Sequence, residues 1–369
     1  MKIAFIKQKY VVFGGGESYV AGLMALCAKQ GHDVHLIANH WQGEDESVQL
    51  HPVAINKFSR KTRVHSFADS VKRCVEANNF DCTLSLERTI SQHIWRGGDG
   101  LYPMWLQRRA LFEPWYKNLF NKYSFDQAAV LKMEERCVRA TPHLIANSEM
   151  VKNDLLEAYP NLTSEIHVIH NGFDPVRFTT LNRDTNRQRI REQFSISPEQ
   201  SLIGFVGSGW QRKGLPELME AVALLPDVKL LVAGRDDINR LEKIANHFGV
   251  RDRVILAGGI TDIASLYHAL DLTVLPTWFD SFGFVGLESI ACGTPYVTTL
   301  WAGSHEAIQP GINGYVISRP DATEELADAI LRGLQLNNVT QIASSISDWT
   351  FENNLNKTLD VISKAASEF

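Results

Sequence analysis

Asp280 and Glu288 stand eight positions apart, and between them run a Ser-Phe-Gly turn and the start of an apolar helix. That spacing puts Asp280 on a loop and Glu288 about a turn and a half into the helix. Both can then face one ligand at the helix N-terminus, where unpaired N–H groups favour an anion. The backbone around Phe282, Gly283 and Phe284 would supply those donors. Glu288 is set among Phe284, Val285, Leu287, Ile290 and Ala291. A carboxylate among such neighbours is costly unless it is paired or bound. A sugar diol suits it, because one carboxylate accepts two hydrogen bonds. The plainer readings are a partly exposed helix position for Glu288 and a helix N-cap for Asp280.

Arg212 and Lys213 lie in the loop Gly207-Ser-Gly-Trp-Gln-Arg-Lys-Gly214, directly after an apolar strand. Adjacent cations at a strand end can neutralise a diphosphate, the arginine as a fork and the lysine as a point charge. Gly14, Gly15 and Gly16 also sit between a strand and a helix, where glycine lets the backbone approach a phosphate or a sugar closely. They lack the Gly-x-Gly-x-x-Gly spacing, so a tight turn is an equal reading. The stretch Gly259–Thr261, with Ile260 at its centre, follows another strand and could read a nucleotide base through backbone groups. Asp99, in Gly-Gly-Asp-Gly, could orient a hydroxyl or help take its proton. It could equally be an Asp-Gly turn. No Asp-x-Asp pair, His-x3-His or His-Glu-x-x-His occurs, so no metal-ligand set is expected. Five cysteines without a Cys-x-x-Cys pair point to buried thiols in a reducing compartment.

A second unusual stretch spans 101–125. Leu111 and Phe112, Trp115 and Tyr116, Leu119 and Phe120, and Tyr123 recur every four positions. Lys117, Asn118, Asn121 and Lys122 fill the other face, after Arg108 and Arg109. A basic amphipathic helix carrying Trp and Tyr reads as a membrane-surface element, with an ordinary core-facing helix as the alternative. Pro114 can start a helix but would kink one running through it.

These residues need a scaffold of alternating strands and helices, and the pattern supplies one. Lys2–Ile6, Val34–Ala38, Cys82–Leu86, His143–Ala146 and Ile166–Ile169 read as strands of a first half, with a helix over 17–30. A second half has strands at Leu202–Val206, Val228–Ala233, Val254–Ala257 and Leu272–Leu275, with helices at 215–225, 237–248 and 261–270. The expected class is α/β: two Rossmann-like, doubly wound parallel-sheet domains facing a central cleft, with ligands outside the carboxyl ends of the strands. The expected divisions are 1–172, 173–345 and a C-terminal helical segment, 346–369, that packs back on the first domain. Residues 173–199, polar and with five arginines, read as a hinge and a peripheral insertion. The chain has 369 residues, 44% hydrophobic and 21% charged, which suits two soluble domains. A net charge of −5 argues against a general nucleic-acid binder. No apolar run is long enough to span a bilayer, and the N-terminus is too quickly charged for a signal peptide.

Taken together, these motifs resemble the retaining GT-B glycosyltransferases of family 4, the glycosyl transferases group 1. The resemblance runs over nearly the whole chain. It includes the N-terminal glycine loop, Asn147-Ser148, His-Asn171-Gly172-Phe-Asp174, the Arg212-Lys213-Gly214 loop and the 280–288 pair. It implies that Glu288 holds a nucleotide ribose and that position 280 contacts the transferred sugar. The family usually has Glu where this chain has Asp280, one methylene shorter. Many members also carry Arg where it has Ser208, which leaves the phosphates to Arg212 and Lys213. That Ser-x3-Arg-Lys-Gly arrangement is similar to the lipopolysaccharide-core glucosyltransferases of Gram-negative bacteria. In that subgroup the place of Asp99 is a pocket acid near the acceptor hydroxyl. The resemblance therefore implies a metal-independent hexosyltransferase. It would use a nucleotide diphosphate sugar, UDP-glucose or similar, and a saccharide or lipid-linked acceptor, and would sit peripherally on the inner face of the plasma membrane. Two alternatives stay open: a non-hydrolysing sugar-nucleotide epimerase and a nucleotide-sugar-binding protein without turnover.

Overall fold

The computed structural model describes residues 1–10, 15–42, 46–114 and 125–368, with the backbone alone at 15–18. The chain forms two compact units. One comprises Met1–His170 with Glu352–Phe369, and the other Asn171–Phe351.

In the first unit the strands are β1 (Lys2–Ile6), β2 (Lys9–Tyr10), β3 (Asp33–Ala38), β4 (His40–Trp41), β5 (Val48–Pro52), β6 (Cys82–Ser85), β7 (Ile94–Arg96), β8 (His143–Ala146) and β9 (Glu165–Val168). Seven of them make a parallel sheet in the order β5-β3-β1-β6-β7-β8-β9, and β2 pairs with β4. Strands such as Ile3-Ala-Phe-Ile6 are buried on both faces, as a parallel sheet covered by crossover helices requires. The order reverses between β1 and β6, where the chain turns from building one side of the sheet to building the other. β5 and β7 carry weak apolar alternation and escape a reading of the sequence.

The C-terminal helix Phe351–Glu368 belongs to this unit. It buries Leu355, Leu359, Val361, Ile362 and Ala365. The Thr358 hydroxyl meets that of Tyr19 at 2.9 Å, and Arg96 stacks on the same Tyr19 ring at 3.9 Å. Asn354 donates to the His170 carbonyl.

The second unit holds β10 (Ser201–Val206), β11 (Val228–Ala233), β12 (Val254–Gly258), β13 (Leu272–Leu275), β14 (Tyr296–Thr299) and β15 (Gly314–Ile317), in the order β12-β11-β10-β13-β14-β15, all parallel. The reversal here falls between β10 and β13. In open α/β sheets that switch point is where ligands bind.

Residues 173–199 are not a peripheral insertion. Helix Arg183–Gln193 packs on helix Ile263–Ala269, and its arginines reach into the unit. Arg191 is 3% exposed; it donates to Asp271 at 2.7 Å and to the carbonyls of Ala269, Ser197, Pro198 and Gln200 at 3.0 Å each. Arg187 shares Asp271, while Arg183 donates to the Cys292 carbonyl and to Thr294. A polar, arginine-rich composition reads as surface, yet a guanidinium with five donors can cap several strand and helix ends from inside. Among the described residues no helix is long and apolar enough to cross a membrane.

Candidate functional site

Two loops carry the candidate residues of the second unit, and both leave the switch point. The loop after β10 runs from Gly207 to Gly214 and leads into helix Leu215–Ala223; the loop after β13 ends at Gly283 and leads into helix Phe284–Ala291. Neither helix has a side-chain N-cap, because glycine stands at the cap in both. In the first helix the Leu215 N–H is spent on the Trp210 carbonyl at 3.0 Å and Pro216 has none, whereas no side chain caps the first N–H groups of the second helix, which can therefore serve a ligand.

Gly207 and Gly214 shape the first loop. A Cβ on Gly207 (φ +134°) would lie 2.9 Å from Lys213 Nζ, so the absence of a side chain lets the ammonium fold back over the strand end. A Cβ on Gly214 (φ +78°) would lie 1.8 Å from the Pro276 carbonyl oxygen, so only glycine lets the two loops touch there. The contact continues beside it: Trp278 N–H and the Thr277 hydroxyl both donate to the Arg212 carbonyl, at 2.9 and 3.2 Å.

Lys213 Nζ stands 3.5 Å from Asp280 Oδ2, and Arg212 Nη1 stands 3.7 Å from the same oxygen. Arg212 Nη1 also donates to the Phe279 carbonyl at 2.6 Å. Asp280 is not a helix N-cap; Gly283 holds that position. Its backbone is pinned instead to the segment after β14: Asp280 N–H donates to Trp301 O at 3.0 Å and Gly303 N–H to Asp280 O at 3.1 Å. Ser304 N–H likewise holds the Phe282 carbonyl at 2.6 Å. The Phe282 ring is 1% exposed and packs on Phe284 and Trp349, so it has only backbone to offer a ligand. The Phe284 ring is partly exposed.

One turn into the helix, Glu288 accepts a 2.9 Å hydrogen bond from the Tyr267 hydroxyl. Burial raises the Glu288 carboxyl above the usual carboxylate range, against the opposing pull of the Tyr267 hydrogen bond and of the charges on Arg177 and Lys213. Tyr267 is itself fully buried, so burial and the adjacent carboxylate hold its hydroxyl protonated as a donor. One Glu288 oxygen is thus fixed by the protein, and the group keeps acceptor capacity for a ligand. Ile260 follows β12 half-buried against the core, and Arg235 lies across the adjacent Gly259. Ser208 accepts from the Arg235 N–H at 3.2 Å, so the residue in place of the family's frequent arginine serves as a loop cap.

The structure brings Gly207, Arg212, Lys213, Asp280, Phe282, Gly283, Phe284 and Glu288 to the carboxyl end of the second sheet's central strands. Asp99, Gly15 and Gly16 belong to the first unit. Gly15 and Gly16 open helix Gly15–Lys29; Gly14 lies outside the described residues. Asp99 is exposed in a turn closed by Gly100 N–H on Gly97 O at 3.1 Å. Beneath that turn is an arrangement that sequence reasoning missed. Glu134, fully buried, receives Arg88 Nε at 2.6 Å, the Tyr159 hydroxyl at 2.9 Å and the Tyr102 N–H at 3.0 Å. Glu134 sits in helix Phe125–Ala140 among Val130, Met133, Cys137 and Val138. An acid inside an apolar helix is the signal that singled out Glu288, and it could have found Glu134. Tyr267 gave no such signal, since a tyrosine in an apolar helix is ordinary.

Of the basic 101–125 stretch, helix Tyr102–Phe112 is described. Arg109 Nε pairs with Glu113 at 2.8 Å, and Arg108 lies half-buried in the field of Asp154 and Glu157. Those two arginines are engaged within the protein. Trp115, Tyr116, Lys117, Asn118, Leu119, Phe120, Asn121, Lys122 and Tyr123 lie outside the described residues.

Comparison with known proteins covers both units. Residues 13–177 match the family described as Glycosyltransferase Family 4, and residues 200–335 match Glycosyl transferases group 1. The chain is 24% identical over 340 residues to the lipopolysaccharide glucosyltransferase WaaG of Escherichia coli, covering 90% of each. It is 31% identical over 209 residues to the D-inositol 3-phosphate glycosyltransferase of Mycobacterium marinum, 54% of this chain and 44% of that one. A crystal structure of WaaG, described as a glycosyltransferase involved in lipopolysaccharide biosynthesis, superposes with a TM-score of 0.78 at 22% identity over 98% of this chain and 99% of the other. The Anabaena protein HepE, crystallised with UDP-glucose, superposes with a TM-score of 0.70 at 17% identity over 99% and 100%.

Proposed function

This chain belongs to the family 4, group 1 glycosyltransferases and has the GT-B fold, and from that premise we propose that it moves a hexose from a nucleotide diphosphate sugar to a saccharide hydroxyl with retention at the anomeric carbon. The observation that carries the proposal is the convergence of Arg212, Lys213, Asp280 and the uncapped N-terminus of helix Phe284–Ala291 at the β10/β13 switch point. The cations and N–H groups take the diphosphate, and Glu288, held by Tyr267, takes the ribose diol. Asp280, which pairs with both cations in the free protein, exchanges them for the phosphates and turns to the sugar hydroxyls.

In the reaction the bond from C1 to the diphosphate oxygen breaks while the acceptor oxygen bonds to C1 on the same face. The acceptor proton passes to the departing diphosphate oxygen. Charge builds on that oxygen, so Lys213 and Arg212 supply the main catalytic stabilisation. These residues alone carry the charge in this scheme, and no metal enters a step. Asp99 orients the acceptor hydroxyl. UDP-glucose is the favoured donor, because the similarly folded HepE holds it. A lipopolysaccharide-core or other cell-surface saccharide is the favoured acceptor, by the likeness to WaaG. Residues 101–125 would meet an anionic membrane surface at the inner face of the plasma membrane. Loss of vesicle co-sedimentation in Lys117→Glu/Lys122→Glu would support that contact, and unchanged binding would remove it.

The test of the donor site is thermal unfolding of the chain with UDP-, GDP-, ADP- and dTDP-sugars, repeated in Glu288→Ala. One nucleotide class that raises the midpoint of the wild type alone establishes the site and names the base. No shift with any donor far above micromolar concentration overturns the assignment. Product formed from donor alone, without acceptor, would point to an epimerase instead.

A further inference from the structure

At the opposite end of β8 and β9 from the strand termini that lead to loops such as Asn147-Ser148, three donor groups converge. His143 and Glu165 open β8 and β9 and are register partners, and His167 is two residues along from Glu165. His143 Nδ1 and His167 Nε2 are 3.2 Å apart. One carboxylate oxygen of Glu165 is 3.8 Å from His143 Nδ1, and the other is 3.8 Å from His167 Nε2. The three donor atoms lie within 4.8 Å of one another.

We propose that His143, His167 and Glu165 form a divalent-cation site, with zinc the ion its donors suit best, and that the ion bridges β8 and β9 beside the C-terminal helix. Two ligands on a tetrahedral zinc with bonds of about 2.0–2.1 Å sit about 3.3 Å apart, and the two ring nitrogens already have that separation. The half-exposed Glu165 needs only a side-chain rotation to bring an oxygen onto the same centre. Two imidazoles and a carboxylate, with a water as fourth ligand, are a zinc donor set.

The surroundings of the buried ring add a second, independent indication. His143 is 2% exposed, and its Nε2 lies 3.0 Å from Glu368 Oε2. A carboxylate on one ring nitrogen fixes the tautomer that leaves the other nitrogen, here Nδ1, as a lone-pair donor. Lys364 is the competitor: its ammonium bonds both oxygens of Glu165, at 2.6 and 2.7 Å. Both partners of that pair are nearly half exposed, and an exposed ion pair is weak enough to yield to a divalent ion. Glu368 and Lys364 both come from the C-terminal helix, so occupancy of the site couples to the docking of that helix.

The experiment is isothermal titration of the chelator-treated full chain with Zn2+, repeated with Co2+ and followed by visible absorption. One equivalent should bind. His167→Ala and Glu165→Ala should each remove that equivalent, and the second of these replaces a side chain that is nearly half exposed. Glu368→Ala should weaken binding about 10–100-fold, and Lys364→Ala should tighten it. If no equivalent binds, or if Glu165→Ala and His167→Ala bind as the wild type does, the cluster is only a hydrogen-bonded histidine chain and the proposal fails.

Discussion

Lys213 and Glu288 stand in opposite environments at the carboxyl end of the second unit's sheet. Lys213 points its ammonium at Asp280, over the space that a side chain at Gly207 would fill, and not into the hydrophobic core. Lys213→Ala should therefore lower kcat by about 10²–10³-fold and leave thermal unfolding within a degree or two of the wild type. Near-normal turnover would remove the phosphate-clamp role. Glu288 behaves differently because its environment disfavours its charge. Its carboxyl is raised by burial, so the folded state keeps the proton longer than the unfolded chain does. Stability from this group is fully present below the ordinary glutamate range and is lost as pH rises through the raised value. Glu288→Gln should thus abolish donor-induced stabilisation at neutral pH yet raise the midpoint of the free protein by up to a few degrees. That gain should vanish toward pH 4. A variant less stable than the wild type at neutral pH would contradict the account.

At the scale of elements, the switch point explains why Arg212 and Phe279, 67 positions apart, come into contact. β10 and β13 are sheet neighbours, so the loops after them must lie side by side. Glycine at the cap of helix Phe284–Ala291 then leaves its first N–H groups beside the Arg212-Lys213 loop. The strands and their glycine turns were legible as apolar runs ended by glycine, which is a local signal. Helix Arg183–Gln193 was not legible as part of the core, because a buried arginine looks like a surface arginine until its acceptors are known. Arg191→Ala should cost about 1–3 kcal/mol, because the carbonyls of Ser197, Pro198 and Gln200 lose its donors while Asp271 keeps Arg187 and the Leu202 N–H. Urea unfolding would read this as a lower midpoint, and a cost below 1 kcal/mol would show that the network is dispensable.

At the scale of the whole chain, the first unit is completed by the last helix. Leu355, Leu359, Val361 and Ile362 are each less than 9% exposed in that helix, and burying such a side chain is worth roughly 1.5–3 kcal/mol. Their sum is comparable to the whole stability of a typical domain. Truncation after Phe351 should leave the first unit unfolded or aggregating, with amide exchange lost at β1, β3 and β6. Persistent protection of those strands in the truncated chain would show that the helix is an accessory.

The sequence by itself determined the alternating α/β character, the family and which loops hold glycine, charge and carboxylate together. These are carried by runs, periods and spacings within about ten residues. Only the tertiary structure decided the partners. Tyr267 comes to Glu288, Asp280 stands against both Arg212 and Lys213, Glu134 braces Arg88 and Tyr102, and Glu368 reaches His143 across 225 positions. The reason is physical: a polar group taken out of water must be met by another, and what meets it is set by which strands become neighbours, not by what lies beside it in the chain.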